Sequence, residues 1–374
     1  MSKIPGRMIT YCTNIHPGEN WGETFNNLQT YIPPVAAAVS PAAPFPIGLR
    51  LSGRASMEID ERASAEFTEW LQRTNTFVPT LNGFPYGSFH GSAVKENVYL
   101  PDWRDGERVD YTVRLANLLD SWLPENVQGS ISTVPVAFKR GFRDEEGSVR
   151  ANLMRVLEHL DRLRQKSGKM ILLALEPEPG CLLETTHEVV SFFDRMAFPD
   201  ELRRGIGVCY DCCHQAVEFE TPSHSLNLLA DAGIAIAKVQ VSSALRVKNP
   251  ERALLEKFCE PCYLHQVVIR DKAGLLSRYT DLPDALREHR AGSGDEWRIH
   301  FHVPIFIERL EQFETTEYFI TVALPLIDSG VLLEVETYTW EVLPPELRMA
   351  DVTQSLIREI QWLKAERNET NRCS

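Results

Sequence analysis

The chain has 374 residues, 43% of them hydrophobic, and its formal net charge is −13. This length allows one large domain or two small ones, each with an ample core. The acidic balance disfavours a nucleic-acid partner, because a protein that binds a polyanion requires basic stripes. No apolar run is long enough for a membrane span, and the N-terminus lacks the apolar segment of a secretory signal, so we expect a cytoplasmic protein.

Eight cysteines in a chain of this size do not indicate a disulfide framework, and the adjacent Cys212 and Cys213 are typical of a reducing compartment. Two C-x-x-C spacings leave a four-thiolate zinc site open as an alternative, formed by Cys209, Cys212, Cys259 and Cys262. Packing in the core is the interpretation that we favour for Cys209, Cys212 and Cys213.

Short apolar segments, bounded by glycine, proline or polar residues, alternate with longer amphipathic segments along the chain. The short segments predict strands at residues 7–14, 46–51, 76–83, 129–136, 170–176, 205–211, 235–242 and 331–338. A helical segment follows each of them. In the first helix, Asn20 is a predicted N-cap with Glu23 three residues later, and in the seventh Pro325 predicts a kink.

Strand–helix units in this order predict a parallel sheet, and their number favours a (β/α)8 TIM barrel, with residues 1–374 as a single domain. An open doubly wound sheet is the alternative, but the sequence lacks the glycine motifs of its nucleotide-binding members. The seventh unit has about 70 residues between its strand and its helix. We expect an insertion at 244–312 with short strands of its own, because loops this long are commonly functional.

In such a barrel, side chains at the C-terminal ends of the strands face the active site. Acids or histidines occupy the ends of strands five, six and eight and one strand of the insertion. These residues are Glu176, Glu178, Asp211, His214, Glu334, Glu336, His300 and His302. Because side chains alternate along a strand, the paired glutamates share its inner face. Carboxylates that converge in a barrel repel one another unless a cation binds them, so the pattern predicts a divalent metal site.

An acid after strand five, Asp-x-x-His after strand six, His-x-His in a late strand and Glu after strand eight resemble the xylose isomerase-like TIM barrel superfamily. This superfamily includes sugar isomerases, keto-sugar 3-epimerases, inosose dehydratases and endonuclease IV-type enzymes. More narrowly, the chain is similar to the EboE metabolite-traffic proteins. The similar blocks are "ITYCTNIHPGENW", "NGFPYGSFHGSAVKENVYLPDW", "LEPEPGCLLETT", "YDCCHQAVEFE" and "LEVETYTWEVLP".

The narrower resemblance implies a role in the export or traffic of a metabolite precursor, beside a prenyltransferase-like membrane partner. It implies neither a particular reaction nor an oligomeric state. The wider resemblance implies a divalent metal ion (zinc, manganese or iron) bound by Glu176, Asp211 and Glu336, with His214 binding either the metal or the substrate. It also implies catalytic roles for Glu176, Glu336 and His214, with the two glutamates as paired acid and base.

Strand seven departs from the pattern of these relatives. They usually have a histidine there, whereas this sequence has Gln240, and glutamine is a poorer ligand for a transition metal. We expect His302 to serve as the missing metal ligand, with His300 and His265 as alternatives.

Residues that follow the other strands are candidates for contact with the substrate. The candidates are His16, His90, Glu178, Gln240, Lys139 and Arg246. The block "GFPYGSFHG" around His90 combines glycine with aromatic faces that suit a sugar ring, and the two cations suit a phosphate or a carboxylate. A solvated position is the competing interpretation for the loop histidines and the cations.

Two functions follow from these observations. The first is metal-dependent isomerase- or epimerase-like chemistry on a small polyol or sugar-like metabolite. The alternative is a metabolite-binding or handover protein of the same pathway that performs no turnover. A nuclease of the endonuclease IV type is disfavoured by the acidic charge.

Overall fold

A computed structural model describes residues 8–373, except 92, 144, 291–293, 311–312, 346–347 and 349–350. Eight strands form one sheet. They are β1 (Ile9–Tyr11), β2 (Phe45–Arg50), β3 (Thr76–Asn82), β4 (Gly129–Thr133), β5 (Ile171–Leu175), β6 (Ile206–Asp211), β7 (Ala235–Val241) and β14 (Leu332–Val335). All neighbours in the sheet pair in parallel, in the order β2-β3-β4-β5-β6-β7-β14-β1. A bridge between Cys12 and Gly48 joins the two edges, so the sheet is a nearly closed barrel, as predicted.

Helices connect the strands of the barrel and continue beyond them. They are α1 (Trp21–Val39), α2 (Gly53–Glu58), α3 (Glu61–Thr74), α4 (Gly106–Trp122), α5 (Glu146–Ser167), α6 (Thr186–Met196), α7 (Asp200–Arg203), α8 (Cys212–Val217), α9 (Pro222–Asp231), α10 (Arg252–Leu255), α11 (Leu282–Glu288), α12 (Glu317–Ala323) and α13 (Val352–Cys373). In the part of the chain that the structure describes, none of the helices has both the length and the apolar character needed to cross a bilayer.

One local prediction about a helix end is confirmed. The Asn20 side chain accepts a hydrogen bond from the backbone N–H of Glu23 at 2.9 Å, which caps α1. The Glu23 carboxylate accepts in turn from the backbone N–H of Glu19, one residue before the cap. The kink predicted at Pro325 is replaced by a helix end: α12 ends at Ala323 and a 3-10 turn contains Pro325, because proline cannot continue the α-helical hydrogen bonding.

Residues between β7 and α12 form a second, antiparallel sheet of six strands. They are β8 (Ser243–Lys248), β9 (Val267–Arg270), β10 (Leu276–Tyr279), β11 (Glu296–Val303), β12 (Arg309–Leu310) and β13 (Phe313–Thr315). Because β8 starts just after β7 ends, strand seven of the barrel leads directly into this sheet. Its apolar side chains form a separate core cluster that includes Leu245, Trp297 and Phe301.

Most of the cysteines lie in the core. Cys209 packs inside the barrel against aliphatic side chains of β5, and Cys212 belongs to the main core cluster. Among the described residues, Cys209, Cys212, Cys259 and Cys262 belong to no group of ligand atoms close enough to share a metal ion. Core packing is therefore confirmed for Cys209 and Cys212. Cys213 also packs against apolar side chains, but its sulfur lies within 4.8 Å of ring nitrogens in two histidines of β11.

A buried acid on α13 holds two strand ends in place. Glu359 accepts hydrogen bonds from the Thr337 hydroxyl at 2.7 Å and from the backbone N–H of Ile305 at 3.2 Å. Thr337 follows β14, and Ile305 follows β11. Burial raises the pKa of Glu359 to about 7. The C-terminal helix therefore fastens the ends of one strand from each sheet through a single carboxyl group.

This group makes folding stability depend on pH. A carboxyl whose folded pKa is raised stabilises the protein below its unfolded pKa, and that contribution is lost as the pH rises through about 7. We expect Glu359→Gln to match the wild-type melting temperature near about pH 5 and to exceed it by a few degrees near about pH 8. Thermal unfolding followed by circular dichroism measures this, with the exposed Glu66→Gln as control. An equal shift at both pH values would contradict the assignment.

Candidate functional site

Three carboxylates meet at the C-terminal mouth of the barrel. Glu176 follows β5, Asp211 ends β6 and Glu336 follows β14. One oxygen from each lies within 4.8 Å of the other two, and no residue of the three is more than 5% exposed. Among the residues that the structure describes, one oxygen of Glu176 and one of Asp211 have no hydrogen-bond partner. The group therefore has the oxygen donors and the uncompensated charge that suit a divalent cation.

Three side-chain amides hold Glu336 in place. Its Oε1 accepts from Asn14 at 2.8 Å, from Asn82 at 3.3 Å and from Gln240 at 3.3 Å. Gln240 therefore contacts an acid of the site from strand seven. Asn14 and Asn82 were not predicted, although Asn82 ends β3 and the rule that identified the acids applies to it equally.

Burial raises the pKa of all three acids, to about 8 for Glu176, and neighbouring carboxylates raise that of Glu336 further. A cation beneath the cluster opposes this rise in pKa. Lys238 forms a salt bridge with Glu334 inside the barrel, where both side chains are fully buried. Burial disfavours the charged form of Lys238, but the attraction of Glu334 outweighs it, so the pKa of Lys238 is raised. The ammonium charge also lowers the pKa of Glu176.

Removing one partner of this pair leaves the other charge buried without compensation. We expect Lys238→Met to lower the free energy of unfolding by about 3–5 kcal/mol, because Glu334 then has no counter-charge. The double variant Lys238→Met/Glu334→Leu is expected to recover most of that loss. Chemical unfolding of the single and double variants measures both effects. A double variant no more stable than the single one would contradict this account.

Three histidines adjoin the acids. His214 lies in α8, and His300 and His302 lie in β11. The Nε2 atom of His300 lies 3.2 Å from that of His214 and 3.1 Å from that of His302. An oxygen of Asp211 lies within 4.8 Å of ring nitrogens of His214 and His302. Burial lowers the pKa of His214 to about 3 and of His302 to about 4, so these rings are neutral at physiological pH.

The cluster opens into a pocket at the mouth of the barrel. Aromatic and polar side chains line its wall, which is typical of a small-molecule site. Among them are Asn14, Asn82, Phe84, Phe89, Tyr99, Glu176, Glu178, His214, Tyr263, His300, Glu336 and Tyr338. The structure thus brings most of the predicted acids and histidines to one cavity.

Glu178 occupies the wall of this pocket. Its Oε1 accepts from the Tyr99 hydroxyl at 2.8 Å and from the Gln266 amide at 3.1 Å. Burial raises the pKa of Glu178 to about 8, although both hydrogen bonds lower it. These two hydrogen bonds hold the Glu178 carboxyl at the pocket wall.

The two predicted loop histidines lie outside the lining of this pocket. His16 stacks on Tyr31, with 4.0 Å between the ring centroids, and lines a separate small cavity. The Nε2 atom of His90 lies 2.6 Å from the carbonyl oxygen of Asn14, and its Nδ1 atom lies 2.8 Å from the Tyr263 hydroxyl. His90 therefore supports two lining residues from behind.

The two predicted cations also lie elsewhere. Lys139 forms a salt bridge with Glu184, and Arg246 forms one with Glu296 in the second sheet. Neither cation is among the residues that line the pocket with the acids. Their position after a strand did not determine the direction of their side chains, because nearby acids attract the long flexible cations.

No protein-family profile matches the chain, and no curated protein matches it. Solved structures do match it over most of its length. A xylose isomerase-like TIM barrel protein from Mycobacterium smegmatis, in complex with magnesium, is 12% identical, with a TM-score of 0.55 and 99% of each chain covered. The chain has the xylose isomerase-like TIM barrel fold.

Two further structures agree with this fold. A xylose isomerase domain protein from Planctomyces limnophilus is 12% identical, with a TM-score of 0.52, and the match covers 91% of this chain and 93% of that one. An L-ribulose 3-epimerase is 11% identical, with a TM-score of 0.51, and the match covers 98% of this chain and 96% of that one. At these identities the likeness concerns the fold alone.

Proposed function

We propose that the protein is a metal-dependent enzyme with isomerase- or epimerase-like chemistry on a small polyol or sugar-like metabolite. The observation that carries the proposal is the group of Glu176, Asp211 and Glu336, which is buried at the barrel mouth. Two of its oxygens have no hydrogen-bond partner in the described part of the chain. An L-ribulose 3-epimerase and a magnesium complex share the fold, which supports it. A bound zinc, manganese or iron ion would polarise a carbonyl or hydroxyl of the substrate.

We assign a separate role to each of the side chains around the pocket. Glu176 and Glu336 both line the pocket, and they serve as the acid and base that move a proton at the carbon beside the polarised group. Glu178, which Tyr99 and Gln266 hold at the pocket wall, hydrogen-bonds a substrate hydroxyl. His214, whose Nδ1 donates to the carbonyl oxygen of Pro177 at 2.8 Å, contacts the substrate or the ion through Nε2.

Metal content is the first test. Protein purified without chelator is expected to contain bound divalent metal by mass spectrometry, and Asp211→Asn is expected to lose it, because the neutral amide is a weaker ligand. Asp102→Asn is the matched control, since Asp102 is a buried acid that pairs with Arg104 outside the cluster. Wild-type protein that binds no metal, even after reconstitution, would refute the proposal.

Turnover is the second test. With a panel of ketoses and polyols, Glu176→Gln and Glu336→Gln are each expected to reduce the rate at least ~100-fold, because each removes an acid–base group. Product is measured by chromatography. Glu314→Gln, in the second sheet, is expected to leave the rate unchanged. Full turnover in either pocket variant would exclude this mechanism.

A handover protein without turnover is the second candidate. The observation in its favour is Gln240, which occupies the place of the usual strand-seven histidine and donates to Glu336 instead. Metabolite that binds to the wild-type protein and is recovered chemically unchanged would favour this candidate. Recovery of a converted product would contradict it.

We also propose that the protein acts in a metabolite-traffic pathway of the EboE type, in the cytoplasm, near a prenyltransferase-like membrane protein. Support comes from the five sequence blocks that resemble EboE proteins. Deleting the gene and profiling metabolites tests this placement, and an unchanged profile would argue against it.

A further inference from the structure

The pocket at the barrel mouth has two chemically different ends. Acids and amides form its inner end, where the strands of the barrel stop. Its outer end is formed by residues that follow β3 and by residues between β8 and β9. The apolar side chains of the outer end are Phe84, Pro85, Phe89, Val94, Val98 and Leu264. A ligand that fills the pocket therefore meets polar groups at one end and an apolar wall at the other.

Aromatic rings make the outer end continuous with the inner one. The rings of Phe89, Tyr263 and Tyr338 pack against one another, with centroids 5.0 to 5.3 Å apart. Val94 belongs to the same apolar cluster. The Tyr338 ring also lies 4.6 Å from the ring of His302, centroid to centroid, beside the acids. The apolar surface therefore begins directly at the polar groups of the site.

Two phenol hydroxyls in the wall already donate to protein acceptors. Burial lowers the pKa of His90 to about 4, so its ring is neutral. Its Nε2 lies 2.6 Å from the carbonyl oxygen of Asn14, which only accepts, so Nδ1 accepts from the Tyr263 hydroxyl at 2.8 Å. The Tyr99 hydroxyl donates to Glu178. Both tyrosines therefore offer the pocket chiefly the apolar surface of their rings.

A phosphate group has no suitable partner in this pocket. Among the described residues that line it, Lys95 is the only lysine or arginine. Its Nζ donates to the carbonyl oxygens of Glu260 and Tyr263, at 3.1 and 2.6 Å, and to the carboxylate of Asp281 at 2.7 Å. An ammonium group has three donors, so all of them are used. A phosphate would therefore meet the carboxyl groups of the pocket without a lysine or arginine to pair with it.

We propose that the substrate is an unphosphorylated polyol or ketose that carries an apolar aryl or alkyl group. Its hydroxyl-bearing part lies at the carboxylates, which rests on the proposed function. Its apolar group lies against Phe89, Val94 and Leu264. Removing that group from water favours binding at the outer end whether or not turnover follows.

Three probes that share one core test the proposal on wild-type protein alone. They are ribitol, 5-O-benzylribitol and ribitol 5-phosphate, and calorimetry of the full-length protein measures their dissociation constants. The benzyl derivative is expected to bind at least ~10-fold more tightly than ribitol, because its ring is buried at the outer end. The phosphate is expected to bind no more tightly than ribitol. A benzyl derivative that gains nothing over ribitol, or a phosphate that binds more tightly, would overturn the proposal.

A substitution of similar shape locates the apolar group. Val94→Thr replaces a methyl group of the wall by a hydroxyl, so the advantage of the benzyl derivative over ribitol is expected to fall about 5-fold. Val322→Thr is the matched control, since Val322 is 51% exposed on α12 and does not line the pocket. The control is expected to keep the wild-type ratio. A ratio that Val94→Thr also leaves unchanged would place the benzyl group elsewhere and contradict the proposal.

The outcomes separate this inference from the proposed function. Turnover of ketoses with a preference for phosphorylated ones overturns the apolar group and leaves the proposed reaction intact. A preference for the benzyl derivative that Val94→Thr weakens, in a protein without turnover or bound metal, supports the apolar end and contradicts the proposed reaction.

Discussion

Three carboxylates are removed from water at the mouth of the barrel, and the surrounding structure offsets the cost of burying their charge. Lys238 lies beneath them with its own partner, Glu334, and lowers the pKa of Glu176 through space. Amide groups from three other strand ends donate to Glu336. The open side of the carboxylate cluster faces the pocket. A group that enters the pocket therefore has to offset the remaining negative charge of the three carboxylates.

The second sheet contributes side chains to the site because it is attached directly to a strand of the barrel. β7 leads directly into β8, and β11 pairs with β8, so the position of β11 is set by a barrel strand. His300 and His302 reach the barrel mouth on this strand. The carbonyl oxygen of Glu336 and the buried carboxyl of Glu359 secure its end. Side chains on paired strands are held more precisely than side chains on a loop of the same length.

Strand ends were the part of the site that the sequence could predict. Alternation along strands five, six and eight determines which side chains face inward, so Glu176, Asp211 and Glu336 could be identified without coordinates. The directions of Lys139 and His16 could not, because side-chain contacts with Glu184 and Tyr31 determine them. The pairing of Lys238 with Glu334 was hidden for the same reason, since it depends on the register between β7 and β14.

The contact between Asn14 and Glu336 joins residues 322 positions apart, and β14 lies between β1 and β7 in the sheet. During synthesis, the acids of β5 and β6 therefore leave the ribosome long before the strand that completes their surroundings. Contacts of such separation form late, because the chain must first close a long loop. The three carboxylates therefore come together only when almost the entire chain is available.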